Sequence, residues 1–144
     1  MKRLSKIILA STLLTATMAF AKDAPKDPTV IARVELMETI GMNTKVLGDM
    51  ASGKAGFDAA AAEAAKAKIV AATAGIAAKF EPQATDPVSE AKPEIWANWD
   101  DFVTKATAAN AAATALDAST LDSVKAGMAG IGGACKACHT AYRL

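Results

Sequence analysis

Residues 119–144 read STLDSVKAGMAGIGGACKACHTAYRL. Ser119-Thr120-Leu121-Asp122 has the capping-box pattern that opens a helix. From there, apolar and cysteine side chains recur at Leu121, Val124, Met128, Ile131, Cys135, Cys138 and Tyr142, in alternating steps of three and four. That spacing draws a single stripe along one helix, so the segment predicts a helix from Leu121 to near the C-terminus. A stripe of this length needs other helices to cover it. The composition favours them: 52% of the residues are hydrophobic, 5% are aromatic, and β-branched runs are scarce.

Three further helices follow from period and punctuation. Pro28 to Ala51 predicts the first, stopped by Ser52-Gly53-Lys54-Ala55-Gly56. Asp58 is a good N-cap for the second, which runs to about Phe80 before Pro82. A linker with Pro82, Pro87 and Pro93 follows, and Pro93-Glu94 suits the first turn of a third helix ending near Ala115. Helices of about 22 residues are about 33 Å long, and short breaks between the first and second and the third and fourth favour antiparallel neighbours. The expected fold is all-α: an antiparallel up-down-up-down four-helix bundle.

The opposite end of the chain bears on compartment. Residues 1–21 read as a cleaved secretory signal peptide, with Lys2, Arg3 and Lys6 ahead of an apolar stretch and Ala19-Phe20-Ala21 at the cleavage point. The apolar part is too short for a permanent anchor, so no stable membrane anchor is expected after cleavage. Residues 22–144 then form one domain in the periplasm. Without those three cations, 13 basic residues face 15 acidic ones, a net charge of −2 and no footprint for nucleic acid.

The chemistry lies in Cys135-Lys136-Ala137-Cys138-His139. Thiols at i and i+3 lie on one side of a helix and can each add across a haem vinyl group, while the imidazole at i+4 can turn under the iron. One covalently attached haem c per chain is therefore expected, with His139 as an axial ligand. Other uses of the two cysteines fit less well. A disulfide here would close a tight ring that stabilises little. A thioredoxin-like pair needs its first Cys at a helix N-terminus in a βαβ setting, and zinc needs a fourth donor that a chain with two Cys and one His lacks.

The single histidine has a second consequence: no other His can complete the iron coordination, so the sixth position falls to Met, a weaker donor, water or nothing. Met128 is eleven residues from His139 on the same helix, about 16 Å along the axis, which places it in the core. On the first helix Met37 stands at the centre of a stripe with Val30, Arg33, Ile40, Gly41, Thr44, Leu47 and Gly48. Two readings of Met37 stand, an axial ligand or flexible core filler. Gly41, one turn on, removes bulk where a macrocycle would approach the backbone. Arg33 reads either as a haem-propionate contact or as a solvated helix residue, and Arg143 as a propionate contact or a favourable charge at a helix C-terminus.

These residues resemble the class II cytochromes c, the cytochrome c′ family. The resemblance spans the chain after the signal peptide: an Arg in the first helix, Pro93-Glu94-Ile95-Trp96 opening the third, and the haem motif followed by Ala141-Tyr142-Arg143 near the C-terminus. Such bundles are themselves a standard example of the four-helix architecture. The low-spin members of the family carry Leu-Met, then Gly, then Val-Leu-Gly in the first helix; here these are Leu36-Met37, Gly41 and Val46-Leu47-Gly48.

The resemblance implies an electron carrier, not an enzyme, with a six-coordinate low-spin haem between His139 and Met37. Redox proteins of unknown identity would be its partners. The alternative is a five-coordinate high-spin cytochrome c′ that binds a small gas such as nitric oxide. A haem-free helical interaction module is a third reading. Met42, Val46 and Met50 are expected on the outer side of the first helix, where they suggest a homodimer seam, as is common in the family.

Overall fold

The computed structural model describes residues 23–144; the expected signal peptide lies outside the described residues. Six helices follow in order: α1 (Pro28–Ala51), α2 (Ala59–Ala74), α3 (Ile76–Phe80), α4 (Glu94–Ala97), α5 (Trp99–Ala115) and α6 (Leu121–Tyr142). Among the described residues there is no strand, and one isolated bridge pairs Ala91 with Arg143. No helix among them is long and apolar enough to cross a membrane.

Three of the four long helices, α1, α2 and α6, begin where side-chain chemistry satisfies free N–H groups, while α5 has no side-chain cap. The Asp27 carboxylate accepts from the Thr29 and Val30 amides at 2.8 and 3.0 Å, with Pro28 as the first helical residue. Asp58 accepts from the Ala61 amide at 2.9 Å. On α6 the cap is Thr120, which accepts from the Ser123 amide, one residue later than the capping-box pattern suggests. Asp117 explains the shift, because its carboxylate accepts from the Ser119 amide at 2.9 Å and holds that residue in a turn outside the helix.

The expected second and third helices are each broken once. Gly75 separates α2 from α3, and a Cβ there would lie 3.4 Å from the Ala72 carbonyl and 3.8 Å from Leu36 of α1. Asn98 separates α4 from α5, with φ −126° and ψ 48°, well outside helical values.

Packing closes the ring. α1 lies against α2 and α6, and α5 lies against α2 and α6. Directions follow from contacts at one end of the bundle. Arg33, early in α1, bonds to the Lys79 carbonyl at the end of α3. The Trp96 indole donates to the Phe80 carbonyl at 2.7 Å, and Tyr142 at the end of α6 meets Asn98 and Asp101 at the start of α5. The starts of α1 and α5 and the ends of α3 and α6 therefore share that end, and the four long segments alternate in direction. The fold is the four-helix bundle expected from the sequence.

Leu47, Ile69, Ile95, Phe102, Leu116 and Val124 are fully buried, each stabilising by roughly 1.5–3 kcal/mol relative to exposure. On α1 the buried residues are Val30, Arg33, Ile40, Leu47 and Met50. At about 100° per residue their centre is rotated by about 60° from Met37, toward α2. Two expectations change accordingly. Met50 is buried rather than on the outer face, and Met37 sits at the edge of the buried stripe, half-buried against the core.

Candidate haem site

The last turns of α6 carry the attachment motif. Cys135 and Cys138 are half-buried, packed against the core and not joined to each other, and His139 beside them is exposed. This end of α6 is tied to two other parts of the chain. The Lys92 amide donates to the Tyr142 carbonyl at 3.0 Å, and the Leu144 amide to the Glu90 carbonyl at 2.9 Å. Arg143 pairs with Glu90 at 2.5 Å. On the α5 side the Tyr142 hydroxyl donates to Asp101 Oδ2 at 2.5 Å, and its ring meets Phe102 edge-on with centroids 5.4 Å apart.

The electrostatics favour the neutral forms of the two thiols and the imidazole. Burial pushes both thiols up from their usual range, and Cys135 adds to the effect on Cys138. Partial desolvation by neighbouring residues of the chain holds the His139 imidazole below its ordinary value; Arg143 acts in the same direction and Glu90 against it. Neutral imidazole keeps a lone pair for a metal. The hydrogen bond between Tyr142 and Asp101 lowers the carboxyl and pushes the phenol up to about 12.

The register of α1 against α6 places the two expected axial residues. A Cβ built on Gly48 would lie 3.8 Å from Met128 Cε, so these two positions face each other. The helices are antiparallel. Eleven residues back along α1 is Met37, and eleven residues on along α6 is His139, each about 16 Å toward the same end. Met37 and His139 thus lie at one level of the bundle, and by the same step Gly41 lies level with Cys135. A Cβ at Gly41 or at Gly132 would meet no atom within 4 Å. The Thr44 hydroxyl, on the same side of α1, is buried with no hydrogen-bond partner among the described residues. Two attachment thiols, a neutral imidazole and side-chain-free backbone on both helices fit a flat, covalently held macrocycle.

The arginines are differently placed. Arg33 is only 3% exposed. Its guanidinium donates to the Lys79, Ala84 and Pro82 carbonyls and lies 5.1 Å from the ring centroids of both Phe80 and Trp96. It is therefore not a solvated helix residue. Arg143, with Glu90 beside it, is exposed and one turn from His139. Sequence reasoning missed the Tyr142–Asp101 pair, the Arg143–Glu90 pair and the Arg33 carbonyl cage. Their partners are 41 to 53 residues apart and carry no local pattern.

Comparison with known proteins agrees with this geometry. The family model described as cytochrome C′ matches residues 29–143. Cytochrome c-556 of Agrobacterium tumefaciens (strain apple 185) is 38% identical over 76 residues, 52% of this chain and 59% of that protein. The chain thus spans little more than half the length of that relative. A cytochrome c′ from Rhodobacter superposes with a TM-score of 0.74 at 28% identity, covering 81% of this chain and 95% of the other. A nitric oxide complex of a variant cytochrome c′ from Alcaligenes xylosoxidans gives 0.71 at 29% identity, covering 80% and 93%. With the family model covering residues 29–143, the chain belongs to the cytochrome c′ family, whose members carry one covalently bound haem c.

Proposed function

We propose that this protein is a periplasmic monohaem cytochrome that carries single electrons, with its haem iron held between His139 and Met37. The observation that supports this reading is the register that sets Met37 level with His139 across the α1–α6 seam. The haem supplies a one-electron iron couple, whose potential a sulfur ligand raises. The chain supplies the rest. Cys135 and Cys138 hold the macrocycle to α6, His139 offers a neutral nitrogen, and Met37 offers a thioether from a half-buried position that limits water. Of the two arginines, Arg143 is the one we assign to a propionate.

Replacing Met37 with Ala tests the assignment. The variant should change from a low-spin to a high-spin ferric spectrum and bind carbon monoxide rapidly when reduced. A low-spin spectrum that survives the substitution would remove Met37 from the iron.

A second reading has an observation of its own. Solved relatives include nitric oxide complexes, and on that ground the comparisons support a five-coordinate gas-binding haem better than a six-coordinate one. The two readings part at Met37. Nitric oxide binding to the ferrous wild type at the rate of the Met37→Ala variant would favour gas binding. Slow binding limited by a unimolecular step would favour a bound thioether.

The outer face of α1 keeps Met42 at 62% exposure, Val46 at 39% and Val34 at 37%. We propose this strip as a homodimer seam, with Met50 excluded because it is buried. Met42→Lys should shift a dimer to monomer in light scattering, and a wild type that is monomeric at high concentration would remove the proposal.

A further inference from the structure

Arg33 is a cation taken out of water; among the described residues no carboxylate is bonded to it, and Asp27 acts on it only through its charge. Burial costs an unpaired charge several kcal/mol, so its surroundings must compensate. They are the Lys79 carbonyl at the end of α3 and the Pro82 and Ala84 carbonyls at the start of the linker, with two aromatic faces packed on the guanidinium. One of these rings, Trp96, also donates its indole N–H to the Phe80 carbonyl, which closes the cage from the α4 side. A planar fork of donors suits three carbonyls pointing from different directions, and a lysine ammonium does not reproduce it.

The far end of the same linker grips the helix that carries the haem. Glu90 receives Arg143 and the Leu144 amide, and Lys92 donates its amide to the Tyr142 carbonyl. Between these ends, Asp86 accepts from the Lys26 and Asp27 amides at 2.8 and 3.1 Å, which pins the linker to the residues that open α1. One continuous set of contacts thus runs from α1, through residues 79–92, to the turn of α6 that bears His139.

We propose that Arg33 is a positioning residue: by holding the start of the linker it fixes the last turn of α6, and through it the direction of the His139 imidazole relative to α1. The linker reading stands on contacts of the chain alone. The imidazole reading rests in addition on His139 as iron ligand, and the two have separate readouts.

The test uses the haem-loaded protein with Arg33→Lys, which keeps the charge and loses the fork. Amide hydrogen exchange at Lys92 and Leu144 should accelerate at least tenfold, while the Val124 amide, at the other end of the bundle, stays as in the wild type. The ferric electron-paramagnetic-resonance g-values should shift with it. Trp96→Phe, which removes the indole bond to Phe80, should produce a smaller change in the same direction and serves if the lysine variant fails to fold. Unchanged exchange at Lys92 and Leu144 in Arg33→Lys would overturn the linker role. Accelerated exchange with unchanged g-values would overturn the coupling to His139. Wild-type exchange together with a reduction potential that changes only when the charge is removed, as in Arg33→Met, would assign Arg33 to a propionate instead.

Discussion

The last turn of α6 and the middle of α1, the two sides of the proposed haem site, are built in opposite ways. Around His139 the chain is held by backbone bonds to Glu90 and Lys92, by the Arg143–Glu90 pair and by Tyr142 on Asp101 and Phe102. Around Met37 there is a half-buried thioether, an open glycine at 41 and the Thr44 hydroxyl without a partner among the described residues. The α6 side is determined by the fold before any cofactor is considered. The α1 side is the one we propose a cofactor completes, since the open glycine leaves room for a macrocycle to approach the backbone.

The largest expected effect comes from removing what fastens α6 to the haem. Cys135→Ala with Cys138→Ala should release all haem on acid–organic extraction, against none released from the wild type. Haem still bound covalently by mass spectrometry would break the assignment outright.

A pH profile tests the tied side next. Because the Tyr142 phenol is raised to about 12, its contribution is fully present below the ordinary phenol value of about 10 and is lost as pH rises from about 10 to about 12. The Asp101 carboxyl is lowered by the same bond, so its contribution is present above the ordinary carboxyl value and is lost as pH falls below that range. Tyr142→Phe should flatten the alkaline limb of a thermal-melting profile and remove part of the acid limb. Limbs unchanged by the substitution would mean that the pair does not hold α6.

Gly41→Ala should give the smallest effect and one that depends on the cofactor. In the haem-free chain the added methyl meets nothing within 4 Å, and alanine should stabilise the helix by about 0.5–1 kcal/mol. In the haem-loaded protein the same methyl should crowd the macrocycle and lower the melting temperature. Equal stabilisation in both forms would place the haem away from α1.

The contrast between the two sides also sets how much was legible beforehand. The helix over Leu121–Tyr142 was readable because its stripe is regular, and α1 matches its expected ends because Pro28 and Ser52-Gly53 are local signals. The breaks at Gly75 and Asn98 were not, since a lone glycine need not end a helix and Asn98 falls within a sequence that favours helix throughout. Cys135, Cys138 and His139 could be singled out because they are near neighbours in the sequence, and they lie together on the last turns of α6. The solvated reading of Arg33 fails because the residue is buried, and its position on an inward stripe did not say which groups bury it. Met50 was misplaced because the stripe was centred on Met37, whereas packing against α2 rotates the buried face past it.

The ferric absorption spectrum of the haem-loaded wild-type protein tests the central claim most directly. The account predicts a low-spin spectrum with the weak band at the red edge that marks sulfur bound to iron. A high-spin ferric spectrum lacking that band would contradict it and leave Met37 as core filler beside an open iron.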